Sequence, residues 1–250
     1  MISGSIVIGS LLFSVILGGI LVTYLQQTNK NHLVKLLLAF SGGFLLSIAF
    51  LHFIPELYGG KTDNIGIYIL VGFLIQLILE FFSGGIEHGH VHVHKGQKMP
   101  WGLFISLSVH SVLEGIPLGN QLIGSDIAHL SNEIHHHANE NNSLLLGIVF
   151  HQLPVGIALM TLLTHTKIGM AKSWIILLLF AAMTPIGVVF GMNTSPEIVW
   201  LNSEIILAVV VGMFLHISTT IIFETSENHK FNLMKLIAIF IGCGLVLLME

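Results

Sequence analysis

Charged side chains, cysteine and arginine are all scarce or absent in this sequence of 250 residues. Only 9% of the residues are charged and 54% are hydrophobic, whereas soluble domains carry about a quarter charged residues. This composition excludes an ordinary soluble domain and indicates a polytopic membrane protein with almost the whole chain in the bilayer. The single cysteine, Cys243, excludes a disulfide framework. Arginine is absent, so lysine supplies all nine permanently cationic side chains.

Long apolar runs divide the chain into eight expected membrane spans. A membrane-spanning helix needs roughly 20 apolar residues. The N-terminal run has neither a basic segment before it nor an obvious cleavage site, so we expect the first span rather than a signal peptide. The sequence therefore predicts an all-α bundle of eight transmembrane helices, forming one domain over residues 1–250 within a lipid bilayer. In chain order, spans 1 to 8 cover residues 4–26, 33–57, 66–86, 101–124, 143–165, 173–193, 198–224 and 231–249.

The positions of the lysines predict the orientation of these spans. Eight of the nine lysines lie in or beside loops that follow odd-numbered spans, and only Lys61 follows an even-numbered span. Positive side chains favour the cytoplasmic side, so both termini are expected outside. The loop between spans 3 and 4, residues 87–100, then becomes a cytoplasmic histidine-rich loop. We expect the protein in the plasma membrane or inner membrane of a cell.

Two histidines and a glutamate interrupt the apolar spans 4 and 5. His110, in the segment "HSVLEGIPLG", lies about ten residues into span 4, or roughly 15 Å deep at 1.5 Å per residue. Glu114 follows one helical turn later on the same face. His151 lies at a similar depth in span 5, and a proline follows each histidine, at Pro117 and Pro154. A proline inside a helix frees a backbone carbonyl, which at this depth requires a protein or watery surrounding.

These side chains predict a metal site. Imidazole nitrogen and carboxylate oxygen are suitable ligands for Zn²⁺ and related first-row divalent ions. Ionisable groups are costly inside a membrane unless they are paired or used. The alternative interpretation is a buried hydrogen-bond network that joins spans 4 and 5 without a metal.

The motifs in spans 4 and 5 resemble those of the ZIP family of divalent-metal transporters. The segment "HSVLEGIPLG" matches the family pattern H-[S/N]-x-x-[E/D]-G-x-x-x-G at every specified position, and "HQLPVGIAL" matches the pattern of span 5 in part. The layout of eight spans and the histidine-rich loop match as well. The resemblance implies a helical bundle in which spans 4 and 5 line the metal pathway, and often a homodimer.

The resemblance also assigns roles to single residues. It implies that His110, Glu114 and His151 are the primary metal ligands. Ser111 and Gln152 fall where some members bind a second, adjacent metal. The sequence departs from those members at Val155, where a bridging glutamate is common, and at Thr184, which replaces the glutamate of a Glu-Pro pair in span 6. We therefore expect one transport site with a single carboxylate and weaker binding.

Other polar residues lie along the expected pathway. His52 and Glu56, near the outer end of span 2, are candidates for a metal-gathering entrance or for a water-exposed interfacial pair. Glu80 in span 3, with His216 and Glu224 in span 7, could form an exit route or purely structural contacts. Alternating histidines in the loop between spans 3 and 4 have a composition that binds metal without fixed geometry, or they form an ordinary solvated loop; they are His88, His90, His92 and His94.

Together these features favour a transporter that carries a divalent transition-metal ion, with Zn²⁺ as the expected substrate, into the cytoplasm. The metal is then the cargo, and neither a catalytic cofactor nor a nucleic-acid partner is expected. Two alternatives would use the same ligands: an intramembrane metalloenzyme that activates water, and a metal sensor that binds without transport. The chain has no H-E-x-x-H motif, which disfavours the enzyme, and no nucleotide-binding motif, which disfavours an ATP-driven pump.

Overall fold

The computed structural model describes residues 3–24, 30–83, 99, 101–130, 138–193, 202–224 and 233–248. Within these ranges every regular secondary-structure element longer than one residue is a helix. A π-helical turn, Ala49–Phe53, joins the second helix to the third. In chain order the α-helices are α1 (Gly4–Tyr24), α2 (Lys30–Ile48), α3 (Ile54–Gly59), α4 (Ile65–Ser83), α5 (Trp101–Leu130), α6 (Ala138–His165), α7 (Met170–Ala181), α8 (Met183–Met192), α9 (Ser203–Glu224) and α10 (Leu233–Leu247).

These helices form eight passes that correspond to the predicted spans. The second pass contains α2, the π turn and α3, and the sixth contains α7 and α8, which only Ala182 separates. Within the ranges described, seven passes are long and apolar enough to cross a membrane, and the last, α10, is an apolar helix of 15 residues. The predicted all-α polytopic membrane bundle is confirmed. The side of the membrane on which the termini lie remains a prediction.

The helices extend further than predicted between spans 4 and 5. The predicted spans end at residue 124 and resume at residue 143, whereas α5 continues to Leu130 and α6 already begins at Ala138. Helical hydrogen bonds are internal to the backbone, so polar residues can continue a helix beyond its apolar part. The apolar run therefore marks the membrane-embedded part of each helix rather than its ends.

The π turn in the second pass is a feature that hydropathy does not predict. The N–H of Ile54 donates a hydrogen bond to the carbonyl of Ala49, five residues earlier, and Pro55 follows immediately. Proline crowds the carbonyl four residues before it, and a wider turn relieves that crowding. The π turn contains His52, so the irregular backbone lies at one of the polar positions of the second pass.

Glycines allow close approach of facing helices in the bundle, including α5, which carries His110 and Glu114. A Cβ built on Gly115 of α5 would lie 2.2 Å from the carbonyl oxygen of Thr184 on α8, and one on Gly187 of α8 would lie 2.1 Å from that of Val112 on α5. Such reciprocal small-residue contacts let membrane helices pack backbone to backbone. The same reciprocal arrangement joins α1 to α6, α2 to α10 and α4 to α9, through the pairs Gly18 and Gly156, Gly43 and Gly242, and Gly72 and Gly212.

Candidate metal site

Three potential metal ligands meet inside the bundle. His110 and Glu114 project from α5 and His151 projects from α6, and one ligand atom of each lies within 4.8 Å of the others. Their relative exposures are 2%, 0% and 1%, so all three are buried. Among the residues that the structure describes, this is the one group of three histidine, cysteine or acidic side chains with such geometry.

The geometry within α5 follows from helical spacing. Residues four positions apart lie on the same helix face. Nε2 of His110 accordingly lies 2.8 Å from Oε1 of Glu114. The ring of His151 stands nearly perpendicular to that of His110, at an interplanar angle of 81° and a centroid separation of 5.8 Å. Two imidazoles and one carboxylate therefore converge from two consecutive helices.

The second ring nitrogen of His110 contacts a residue that the sequence analysis did not single out. Nδ1 of His110 lies 2.9 Å from Oε1 of Gln76 on α4, and Gln76 is fully buried. An amide oxygen can only accept a hydrogen bond, so the N–H of Nδ1 is the donor. The available signal was one uncharged polar side chain in the otherwise apolar segment "LVGFLIQLIL", because a polar residue inside a membrane helix is a functional candidate.

The donor atoms of this site suit a divalent cation. Oε2 of Glu114 is buried and accepts no hydrogen bond from the residues described. A buried carboxylate is unfavourable without compensating positive charge or hydrogen bonds. Two histidines and one glutamate also form a known donor set for zinc that leaves a coordination position open. The donor set thus fits Zn²⁺ or a related divalent ion.

Neutral residues occupy the positions at which the resemblance predicts a second metal in some members of the family. Ser111 and Gln152 are both buried. The side-chain N–H of Gln152 donates a hydrogen bond to the hydroxyl of Thr184 on α8. Val155 lies one turn after His151 on α6 and belongs to the buried hydrophobic core. Glu114 is consequently the only carboxylate in the three-ligand cluster, and a polar contact between α6 and α8 lies beside it.

Two of the other candidates form a pair of their own. Nε2 of His216 on α9 is within hydrogen-bonding distance of Oε2 of Glu80 on α4. The ring of Phe73 packs edge-to-face against His216, with centroids 4.7 Å apart. This pair does not join the three-ligand cluster. It provides a partly buried polar contact between spans 3 and 7. The sequence analysis named both residues without predicting that they touch.

For the remaining candidate residues, the structure gives a position in the fold or does not describe the side chain. His52 lies in the π turn and Glu56 in α3, and both side chains are partly buried. Glu224 is the last residue of α9; its side chain is outside the described part of the structure. The four histidines of the loop between spans 3 and 4, His88 to His94, also lie outside the described residues, so their metal binding and cytoplasmic position remain predictions.

A buried His–Glu–His cluster in an apolar helical bundle defines a polytopic membrane protein with an intramembrane site suited to a divalent metal. The family model described as ZIP Zinc transporter matches residues 83–250, more than half of the chain. The protein therefore belongs to the ZIP family. The resemblance of the motifs in spans 4 and 5 is confirmed, and so is the expectation of a membrane transporter by class rather than an enzyme.

Two relatives found by comparison with curated proteins are about a quarter identical to this chain. Zinc transporter YKE4 of Saccharomyces cerevisiae is 25% identical over a 264-residue alignment, which covers 87% of this chain and 71% of YKE4. Protein zntC of Dictyostelium discoideum is 26% identical over 148 residues, which cover 57% of this chain and 33% of zntC. The aligned region thus spans only about a third of zntC.

Proposed function

We propose that this protein moves a divalent transition-metal ion, with Zn²⁺ as the expected substrate, across a cell membrane through one site formed by His110, Glu114 and His151. The observation that carries the proposal is the complete burial of a carboxylate between two imidazoles inside an apolar bundle. Membership of the ZIP family supports it, as does the name of the yeast relative, a zinc transporter.

The chemistry of the ligands supports a transition metal over Ca²⁺ or Mg²⁺. Those hard ions prefer shells of oxygen ligands, whereas imidazole suits zinc and its neighbours. Both ligand-bearing helices contain an internal proline, Pro117 in α5 and Pro154 in α6. Each proline leaves the carbonyl four residues earlier without its helical partner. Those freed carbonyls, of Leu113 and Phe150, add oxygen atoms close to the proposed path.

The proposed direction is inward, from outside to cytoplasm. The distribution of lysines supports the orientation on which this direction depends. Transport would follow from rocking of helices around the buried site, as in other secondary transporters. An ion gradient or facilitated flow would supply the driving force. The plasma or inner membrane is the proposed location and a homodimer the proposed assembly.

The decisive experiment measures flux and binding in the same preparation. Purified protein is reconstituted into sealed liposomes, and uptake of Zn²⁺, Fe²⁺, Mn²⁺ and Cd²⁺ is compared with that of protein-free liposomes. We expect saturable Zn²⁺ uptake and weaker uptake of Mn²⁺, which favours oxygen ligands. Tight Zn²⁺ binding without flux would contradict the proposal and identify a metal sensor. Flux of Mn²⁺ alone would overturn the proposed substrate.

Substituting Val155 with glutamate is expected to tighten metal binding at least about tenfold, or ~1.4 kcal/mol. A unit charge about 4 Å from the ion gains about 4 kcal/mol at an effective dielectric of 20, and desolvation of the new carboxylate offsets part of this gain. Equilibrium Zn²⁺ titration of Val155→Glu beside the parent tests the prediction. Val155→Gln is the matched control, since it has nearly the same shape without the charge. Equal affinity in all three proteins would show that this face of α6 is turned away from the ion.

Replacing the four loop histidines, His88, His90, His92 and His94, with serine is expected to leave uptake within about twofold, because such tracts bind metal without a fixed geometry. The loop lies between spans 3 and 4 in sequence, apart from the motifs that carry the three proposed ligands. Initial uptake rates in liposomes provide the measurement, with total bound Zn²⁺ expected to fall. Abolished uptake in a well-folded variant would make the loop an obligatory part of the route.

A further inference from the structure

We propose that Gln76 is the positioning residue that fixes which nitrogen of His110 faces the transported ion. This inference rests on the proposed function and extends it to a helix that contributes no metal ligand. Oε1 of Gln76 accepts a hydrogen bond from Nδ1 of His110 at 2.9 Å, and the opposite nitrogen, Nε2, lies 2.8 Å from Oε1 of Glu114. The imidazole ring of His110 thus lies between α4 and the buried carboxylate of Glu114.

The hydrogen-bonding properties of the two side chains determine the tautomer. A neutral imidazole has one N–H and one nitrogen with a free lone pair. Since the amide oxygen of Gln76 can only accept, it holds the proton on Nδ1 and leaves the lone pair of Nε2 towards Glu114 and His151. A metal ligand must present that lone pair to the ion, and the bond made by the other nitrogen sets which tautomer does so.

The surroundings of Gln76 argue against a purely structural role. α4 is already held against α9 by reciprocal close contacts at Gly72 and Gly212. A second hydrogen bond also joins α4 to α5, from the hydroxyl of Ser106 to the carbonyl of Leu79. A hydrogen bond from Gln76 is therefore not needed to dock α4 against its neighbours, and a buried amide in an apolar interior is costly unless it is hydrogen-bonded.

The same segment of α4 carries a second acceptor one turn later. Glu80 contacts Nε2 of His216, as described above. α4 therefore supplies an acceptor to one histidine on each of two other helices, α5 and α9. The two cases differ in what the second ring nitrogen faces: in His110 it faces Glu114, whereas Nδ1 of His216 has no hydrogen-bond partner among the residues described. Only Gln76 thus acts directly on a proposed ligand.

The test compares Zn²⁺ affinity and folding in a set of matched variants. Gln76→Met keeps the length and removes the acceptor, so we expect a 10–100-fold loss of affinity, as is typical when the partner of a ligating histidine is removed. Gln76→Glu keeps an acceptor for Nδ1 and should restore affinity to within about threefold of the parent. Ser106→Ala removes the neighbouring α4–α5 hydrogen bond without touching His110, and should leave affinity unchanged.

The outcomes separate the positioning role from the proposed function. If the parent protein binds Zn²⁺ and Glu114→Gln does not, the site is established independently of Gln76. Equal effects of Gln76→Met and Ser106→Ala would then overturn the positioning role alone. If Gln76→Met fails to fold, the folded Gln76→Glu variant still decides, because weak binding there would contradict the proposal. Absence of Zn²⁺ binding in the parent would overturn both.

Nitrogen-15 NMR of histidine-labelled, Zn²⁺-bound protein provides a second, independent test. It should show the proton of His110 on Nδ1, and the opposite tautomer would also refute the proposal.

Discussion

Zn²⁺ uptake is expected to fall about 100-fold or more when Glu114 is replaced by glutamine. Loss of a hydrogen-bonding partner of a ligand typically lowers metal affinity 10–100-fold, and Glu114 is a proposed ligand itself. It is also the only carboxylate in the three-ligand cluster found among the described residues, so the substitution removes that cluster's only acidic group. Uptake of Zn²⁺ into liposomes and equilibrium Zn²⁺ titration are the two measurements.

Folding of the same variant should be preserved or improved. Glu114 is fully buried, and replacing an ionised buried group with a neutral one of similar shape removes a desolvation penalty. The side-chain N–H of glutamine could donate a hydrogen bond to Nε2 of His110, which lies 2.8 Å from the carboxylate in the parent. We therefore expect an unchanged or higher thermal unfolding temperature together with lost uptake. A merely structural hydrogen-bond network predicts the reverse, because the amide would preserve the network and uptake would continue.

Glu204 provides a matched glutamate outside the proposed site. Its carboxylate accepts hydrogen bonds from the backbone N–H of Thr62 at 2.9 Å and that of Lys61 at 3.3 Å, which ties the loop between α3 and α4 to the start of α9. Glu204→Gln weakens these charge-assisted bonds and should lower stability while leaving uptake within about twofold. If both substitutions reduced uptake equally, the loss at Glu114 would reflect general damage rather than a lost ligand.

The part of the site that could be predicted from sequence is the part fixed by local geometry. His110 and Glu114 share a helix face because they are four residues apart, and this relation holds wherever the helix packs. His151 required one further step, an equal depth in the next span. Helical spacing and span length together thus predicted which three side chains could meet, and the structure places their ligand atoms within 4.8 Å.

The contacts that sequence reasoning missed all cross from one helix to another. Gln76 lies 34 residues from His110, and Glu80 lies 136 residues from His216. Hydropathy identifies helices and their polar interruptions, but it does not give the rotation of one helix against another. That rotation depends on where backbones can approach, which in this bundle is set by pairs of glycines on facing helices.

Gly115 illustrates how strongly the site depends on this packing, and its replacement by alanine is expected to damage both stability and uptake. The new Cβ would lie 2.2 Å from the carbonyl oxygen of Thr184, 2.8 Å from the backbone nitrogen of Val188 and 3.0 Å from Cα of Gly187. These are backbone atoms that cannot rotate away, so α5 and α8 must separate. Overpacking of this kind typically costs about 1–3 kcal/mol.

Separation of α5 from α8 would disturb the site from two directions. Gly115 directly follows Glu114, and Thr184 holds Gln152, the residue after His151, by a hydrogen bond. The thermal unfolding temperature in detergent and the rate of Zn²⁺ uptake into liposomes should therefore both fall.

Gly102→Ala is the matched control on the same helix, because its Cβ would meet only the carbonyl oxygen of Phe82 at an ordinary 3.5 Å. That variant should be about as stable as the parent, because the new methyl group makes only an ordinary contact. Parental stability and uptake in Gly115→Ala would mean that α5 and α8 do not meet backbone to backbone at this point.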